Sequence, residues 1–150
     1  YTHNYRQIYS SVSNYWDDLN KISDKVYKIT GVRSKIVRFP GGSSNTVSRR
    51  YSKGIMTTLT KQLVDKGYKY YDWNADSEDA GSARNTSDVY KYVTNNLARN
   101  RNNIVLMHDY ENNYKTLNAL SDIIDYGKNN GFTFEAIDAS TPMVRHGVNN

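Results

Sequence analysis

Apolar residues recur at three- and four-residue steps in four stretches of this chain, and that spacing predicts four amphipathic helices. The predicted helices cover residues 5–29, 53–66, about 87–99 and 114–130. A glycine follows three of them, at Gly31, Gly67 and Gly131, as expected where helices end. The residues expected to face a core are Ile8, Val12, Tyr15, Trp16, Leu19, Ile22, Val26, Ile29, Ile55, Met56, Leu59, Leu63, Val89, Val93, Leu97, Leu117, Leu120, Ile123 and Ile124.

Short apolar runs lie between the helices and predict strands. We place these strands at residues 35–39, 69–73, 103–107 and 132–137. Helices and strands therefore alternate, which is typical of an α/β fold with a parallel sheet and covering helices. Four strands are fewer than the roughly eight of a closed barrel, and the chain begins with a helix. We expect a single domain over residues 1–150 that is open, or incomplete at its N-terminus.

Composition adds exclusions to this picture. Apolar residues make up 37% of the 150 positions, enough for one globular core. No apolar run approaches the roughly 20 residues of a membrane-spanning helix, so we expect no stable membrane insertion. Cysteine is absent, which excludes disulfides, thiolate nucleophiles and cysteine-based metal sites.

The net charge of +5 favours polyanionic partners, but its distribution argues against nucleic acid. Lysine and arginine are scattered, and the densest pair, Arg49 and Arg50, lies in a serine-rich loop rather than on a helical stripe. A nucleic-acid binder needs a concentrated basic footprint with interleaved aromatic residues. We therefore expect an ordinary basic surface and no nucleic-acid partner. An anionic cell wall would suit such scattered positive charge equally well.

Polar residues with chemical potential follow three predicted strands. Arg38 and the Pro40-Gly41-Gly42 turn end the first, an aspartate-rich segment follows the second, and His108 and Asp109 end the third. In α/β folds ligands bind beyond the carboxyl ends of the strands, so these groups would meet at one rim. Singly, each has a structural explanation: a histidine at a strand end, loop-capping aspartates, an arginine in an ion pair.

Taken together and in order, these segments resemble a known family. The run Arg38-Phe39-Pro40-Gly41-Gly42-Ser43-Ser44-Asn45, then Asp76-x-x-Asp79, then Leu106-Met107-His108 is similar to motifs three to five of the polysaccharide deacetylases, carbohydrate esterase family four. Thr2-His3 resembles the end of that family's second motif. The resemblance spans essentially the whole chain and implies part of a distorted (β/α) barrel, the C-terminal portion of the catalytic domain, with N-terminal strands missing.

The resemblance also shows departures from the family pattern. The first motif, with two adjacent aspartates, and the first histidine of the second motif are not in this sequence. His3 would be the one metal ligand left, for a divalent ion that is usually zinc in the family. Ala80 stands where family members usually carry tryptophan, and Trp73 is the residue that could compensate.

The resemblance implies a role for each matched residue. His108 would be the general acid, paired with Asp79, which fixes its tautomer and stabilises its protonated form. Arg38 would orient the absent catalytic aspartate, and the backbone N–H of Gly41 would hold the oxyanion. The expected substrate-binding residues are Leu106, which would line the methyl pocket, Trp73 and Pro40. Asp76 is expected to order its loop.

The implied function is metal-dependent deacetylation of N-acetylated sugars in a cell-wall polysaccharide, with N-acetylglucosamine of peptidoglycan as the leading substrate. The protein would be secreted or held at the surface of a bacterium, Gram-positive by composition. The alternative is a catalytically inactive fragment that acts as a carbohydrate-binding or structural module. An uncovered sheet edge would allow a dimer or strand exchange.

Overall fold

The computed structural model describes residues 1–150 and contains five α-helices, one 3-10 turn and four two-residue strands. The helices are α1 Tyr5–Ile8, α2 Val12–Thr30, α3 Ile55–Asp65, α4 Thr86–Asn96 and α5 Tyr114–Asn129, with the 3-10 turn over Val47–Arg50. The strands are β1 Ile36–Val37, β2 Lys69–Tyr70, β3 Ala75–Asp76 and β4 Val105–Leu106. None of the helices combines the length and apolar character that crossing a membrane requires.

The chain folds into two compact units. Unit 1 comprises Tyr1–Asp72 and Arg145–Asn150, and unit 2 comprises Trp73–Val144. Unit 1 contains the parallel pair β1–β2, in which Val37 lies opposite Tyr70. Unit 2 contains the parallel pair β3–β4. In each unit a helix connects the paired strands, α3 in the first and α4 in the second. The predicted α/β class with parallel strands and covering helices is confirmed.

Unit 1 has an aromatic core. Phe39 is fully buried and lies with its ring centroid 5.4 Å from those of both Tyr15 and Tyr70. Tyr9 is also fully buried and stacks on Tyr15 at 6.3 Å. Because Phe39 directly precedes Pro40, the core fixes the start of the loop that carries the glycine pair.

Unit 2 is built on the packing of α4 against α5. Its buried cluster contains Val89 and Val93 of α4 with Ala119 and Ile123 of α5, each at most 3% exposed. Leu97 packs against this cluster, as the apolar spacing predicts. Ala83, which lies in the segment after β3, belongs to the same cluster.

The predicted long helix over 5–29 is wrong as a single element, because it is two helices. α1 ends at Ile8, and α2 begins at Val12. Ser11 separates them: its backbone is extended, and its side chain accepts a hydrogen bond from the Asn14 N–H. A serine at this position is a helix N-cap, and the apolar periodicity continued across it.

Several apolar residues expected to face the core are exposed. Ile29 of α2 is 76% exposed, and Val26 is 37% exposed. On α5, Leu117 and Leu120 are 65% and 41% exposed, whereas Ile123 of the same helix is buried. The spacing predicts which face of a helix is apolar, but it does not tell whether another element covers that face.

The strand predictions need two corrections. Residues 132–137 form no strand; instead the Phe134 ring packs so closely over Gly127 of α5 that an added Cβ there would lie 2.5 Å from it. Conversely, β3 lies inside the segment predicted to be an acidic loop. Asn74 explains that strand: its side chain accepts from the Ile104 N–H and donates to the Asn102 carbonyl, aligning this segment with β4.

Candidate active site

The strongest candidate for chemistry is a histidine–aspartate pair in unit 2. His108 follows β4, and its Nδ1 lies 2.7 Å from Oδ1 of Asp79. The Asp79 side chain is fully buried, whereas the His108 side chain is 31% exposed. The pair therefore links a buried carboxylate to an imidazole that solvent or a ligand can reach.

The protonation pattern of the ring follows from this contact. An ionised carboxylate only accepts hydrogen bonds, so Nδ1 of His108 must carry the proton. Nε2 is then the ring nitrogen left to exchange a proton with a ligand. The sequence prediction that Asp79 fixes the tautomer of His108 is consistent with this geometry.

Asp79 is held by more than the ring. Its Oδ2 accepts hydrogen bonds from the His108 backbone N–H at 2.8 Å, from Nδ2 of Asn113 at 3.0 Å and from Oγ1 of Thr116 at 2.8 Å. Burial alone raises the pKa of Asp79, but these bonds and that of the His108 ring outweigh it. The pKa of Asp79 therefore lies well below its ordinary range, and the carboxylate stays ionised near neutrality.

Local structure in the loop after β3 places Asp79. Ser77 donates its N–H to the carbonyl of Leu106 in β4, which carries the strand pairing one residue further. Glu78 adopts a left-handed backbone with φ of 54° and turns the chain toward Asp79. Asp76 accepts from the Trp73 indole at 2.9 Å and from the Glu78 N–H at 2.8 Å. This is the loop-ordering role expected of Asp76.

The glycine pair of unit 1 lies in a tight turn. The Gly42 N–H donates to the carbonyl of Phe39 at 2.8 Å, and the Tyr9 hydroxyl donates to the carbonyl of Pro40 at 2.7 Å. Gly41 has a left-handed φ of 76°, and a Cβ there would lie 2.6 Å from the Tyr5 hydroxyl. Only glycine fits this position without strain.

A buried aspartate ties the same loop to the end of the chain. Asp72 accepts from the Ser43 N–H at 2.8 Å and from the Ser43 hydroxyl at 2.5 Å. It also accepts from the His146 N–H at 2.8 Å. The His146 ring contacts the Ser44 hydroxyl at 3.1 Å. The segment Arg145–Asn150 thereby becomes part of the framework around the loop.

Arg38 and His3 both lie at the surface of unit 1. The Arg38 side chain is exposed and close enough to Tyr5 to oppose the rise that burial causes in the pKa of that phenol. His3 is exposed, has a left-handed φ of 53° and packs edge-on against the Tyr5 ring at 5.7 Å. The chain contains no cluster of three His, Asp or Glu side chains that could hold a metal ion. His3 by itself does not make such a site.

The structure thus brings together some of the predicted site residues. Asp79 and His108 form a direct pair, and Leu106 lies two positions before His108 and is 7% exposed. The Trp73 indole donates to the Asp76 carboxylate. Arg38, Pro40 and Gly41 share one loop of unit 1. Convergence of that loop with the His108 pair stays a prediction.

Sequence reasoning missed Asn113 and Thr116, which bind the Asp79 carboxylate. Both occur at the start of α5, where polar residues are read as helix caps. Thr116 is three positions after Asn113, a spacing that ordinary cap residues also show, so the sequence carries no signal that points to Asp79.

A structural match defines the class of protein to which this α/β chain with its His–Asp pair belongs. The catalytic domain of a peptidoglycan N-acetylglucosamine deacetylase from Eubacterium rectale ATCC 33656 matches with a TM-score of 0.94 and 40% sequence identity. The match covers 99% of this chain and 67% of that chain. The chain therefore belongs to the polysaccharide deacetylase family, carbohydrate esterase family four, although the family models searched give no match.

Other relatives agree with this assignment. A carbohydrate esterase family four esterase of Streptococcus mutans matches with a TM-score of 0.72 and 25% identity, over 89% of this chain and 59% of that chain. The polysaccharide deacetylase Bc1974 from Bacillus cereus shares the fold, with a TM-score of 0.76 and 24% identity over 96% and 66% of the two chains.

Two curated relatives are similar in sequence. YheN of Bacillus subtilis strain 168, named as a polysaccharide deacetylase, is 27% identical over 141 residues, which is 91% of this chain and 46% of YheN. A peptidoglycan-N-acetylglucosamine deacetylase of Bacillus cereus is 27% identical over 144 residues, 90% of this chain and 47% of the relative. The chain spans about half the length of these curated relatives.

Proposed function

We propose that the natural protein containing this chain hydrolyses the acetamide groups of N-acetylated sugars in a cell-wall polysaccharide, with N-acetylglucosamine of peptidoglycan as the substrate. The observation that carries the proposal is the His108–Asp79 pair, an accessible imidazole on a buried carboxylate, in a chain of this family. The names of the relatives from Eubacterium rectale and Bacillus cereus support the choice of substrate.

The proposed role of His108 is to protonate the leaving amine. Water adds to the acetyl carbon and gives a proton to a general base, which in the family is the aspartate of the first motif. The C–N bond then breaks, and the nitrogen must gain a proton to leave as an amine. Nε2 of His108 supplies that proton, while the Asp79 carboxylate stabilises the imidazolium through Nδ1. General acid catalysis of this kind contributes about 10²–10⁴-fold to a rate.

The other predicted site residues have separate roles in this proposal. The Gly41 N–H holds the oxyanion of the tetrahedral intermediate, an interaction worth about 3 kcal/mol. Arg38, which is exposed, orients the catalytic carboxylate that family members carry in their first motif. Leu106 lines the pocket for the acetyl methyl group, and Pro40 and Trp73 contact the sugar.

Metal dependence is a separate part of the proposal. We propose that His3 is one ligand of a divalent ion, zinc by resemblance, and that its other ligands come from outside these 150 residues. The other ligands are placed outside the chain because it contains no cluster of three side chains that could hold a metal ion. We also propose secretion to the cell wall of a Gram-positive bacterium, in keeping with relatives from Bacillus, Streptococcus and Eubacterium.

Acetate release from N-acetylglucosamine oligomers and from peptidoglycan tests the proposal. The natural protein is assayed before and after treatment with a chelator, and again after zinc is restored. We expect release that the chelator abolishes and zinc recovers. Release that a chelator does not change would contradict the metal assignment, and no release from any N-acetylated glycan would contradict the deacetylase.

A second candidate function is a carbohydrate-binding or structural module without turnover. The absence of a three-ligand metal cluster in this chain favours it for the 150 residues alone. It predicts that the natural protein binds the same oligomers, measured by calorimetry, while acetate release stays at the level of a blank.

A further inference from the structure

The two oxygens of the Asp79 carboxylate have different tasks. Oδ1 contacts only the His108 ring among the hydrogen bonds of this side chain, and Oδ2 accepts the other three. A carboxylate held through one oxygen on three sides has little freedom to rotate. The direction in which Oδ1 points is therefore set by the groups around Oδ2.

Asn113 contributes one of these groups at a cost to the fold. Its Nδ2 donates to Oδ2 of Asp79 at 3.0 Å and to the carbonyl of His108 at 2.7 Å, so both of its N–H bonds are used within the pair. Its Oδ1 is buried and has no hydrogen-bond partner. A buried acceptor without a donor is destabilising, and such groups in folded proteins call for an explanation.

Thr116 behaves differently from the other buried threonines. The hydroxyls of Thr60 and Thr94 donate to carbonyls one turn earlier in their own helices, at 2.8 Å from Met56 and 2.9 Å from Tyr90. The Thr116 hydroxyl instead donates to Asp79, 37 positions away in sequence. All three threonines are 8% exposed. The difference lies in the partner and not in the burial.

We propose that Asn113 and Thr116 are positioning residues that hold the Asp79 carboxylate in the one orientation that keeps Nδ1 of His108 protonated and Nε2 free for the substrate. The positioning itself follows from the contacts within unit 2. Its consequence for catalysis rests on the proposed function.

The loss of either residue should act through the ring of His108. With Oδ2 less constrained, the Asp79 side chain gains other rotamers, and the Nδ1–H tautomer of neutral His108 loses its preference. Turnover should then fall through the rate constant for catalysis, since neither Asn113 nor Thr116 is placed to contact the sugar. An effect on kcat with little change in KM is typical of an interaction that matters only in the transition state.

The test compares Thr116→Val and Asn113→Ala with Thr94→Val as the matched control. Each protein is labelled with ¹⁵N at histidine, and the ring nitrogen shifts of neutral His108 are assigned with a His108→Gln variant. The wild type and Thr94→Val should show the Nδ1–H tautomer, and the two other variants should show a mixture. An unchanged tautomer in a folded Thr116→Val protein overturns the proposal, and that variant keeps the test valid should Asn113→Ala fail to fold.

Turnover on an N-acetylglucosamine oligomer provides the second readout. We expect Thr116→Val to lower kcat about 10-fold with KM within about twofold, and Thr94→Val to change neither. If Thr116→Val changes the tautomer but the wild-type protein releases no acetate, the positioning role is supported and the proposed function is contradicted. If the wild-type protein releases acetate but Thr116→Val keeps the Nδ1–H tautomer, the proposed function is supported and the positioning role is contradicted.

Discussion

Each unit contains a buried aspartate with several donors around it, yet the two aspartates do different things. Asp72 of unit 1 and Asp79 of unit 2 are both 1% exposed. The donors to Asp72 are backbone N–H groups of Ser43 and His146 and the Ser43 hydroxyl. Asp79 has a similar set and, in addition, the partly exposed ring of His108.

The comparison shows what separates a structural carboxylate from a chemical one. Asp72 accepts hydrogen bonds from groups that are themselves fixed in the fold, so it secures a loop and the chain end beside it. In Asp79, Oδ2 likewise accepts from fixed groups, among them Asn113 and Thr116. Oδ1 instead bonds to the His108 imidazole, which reaches the surface. The chemistry depends on the partner and not on burial.

The largest stability effect should come from Asp79→Asn. The amide must turn its NH₂ toward either the His108 ring, which then gives up its Nδ1–H, or the three donors at Oδ2, which then lose their acceptor. We expect the free energy of unfolding to fall by about 3 kcal/mol, measured in denaturant, together with loss of the Nδ1–H tautomer. Wild-type stability with an unchanged ring would contradict the role given to Asp79.

Asp72→Asn should have a smaller effect and leave the ring alone. One oxygen still accepts from Ser43, while the new NH₂ faces groups that also donate, for an expected loss of about 2 kcal/mol. The tautomer of His108 should stay as in the wild type by ¹⁵N shifts. A change in that tautomer would show that the two aspartates are not as distinct as this comparison requires.

Gly41→Ala tests the loop that Asp72 secures. The positive φ and the contact of the new Cβ with the Tyr5 hydroxyl should together cost about 2 kcal/mol of unfolding free energy. In a Tyr5→Phe background the contact with the hydroxyl is gone, and the cost should fall to about 1 kcal/mol. Equal costs in both backgrounds would mean that Tyr5 does not set the space around Gly41.

Acid should remove the contribution of Asp79 to stability. The pKa of Asp79 is lowered in the folded state, so the unfolded chain binds more protons and stability falls as pH decreases. This contribution is complete above the unfolded pKa of about 4 and is lost as pH falls through the folded value. The difference in unfolding free energy between wild type and Asp79→Asn should therefore shrink below about pH 4. A constant difference down to pH 2 would contradict the lowered pKa.

Apolar periodicity predicts much of this fold because it reports local geometry. It identifies the buried residues Val89 and Val93 of α4 and the parallel class. It fails for Leu117, whose apolar face has no cover, and for β3, which depends on the side chain of Asn74. Both failures concern long-range packing, about which the spacing of residues carries no information.

The candidate site divides in the same way. The ordered motifs indicate Asp79 and His108, and these residues are paired in the structure. Asn113 and Thr116 could not be predicted, because a polar residue in the first turn of a helix is ordinarily a cap. Their role in binding Asp79 is seen only in the structure, where this carboxylate, 34 and 37 positions earlier in the sequence, lies beneath that turn.

The most direct test of the account is turnover of an N-acetylglucosamine oligomer by the His108→Gln and His146→Gln variants of the natural protein. Both rings are partly exposed; the His108 ring contacts the buried carboxylate of Asp79, and the His146 ring contacts the Ser44 hydroxyl. We predict that His108→Gln lowers kcat at least about 100-fold while His146→Gln stays within about threefold of wild type. Wild-type turnover in a folded His108→Gln protein would contradict the assignment of His108 as the general acid.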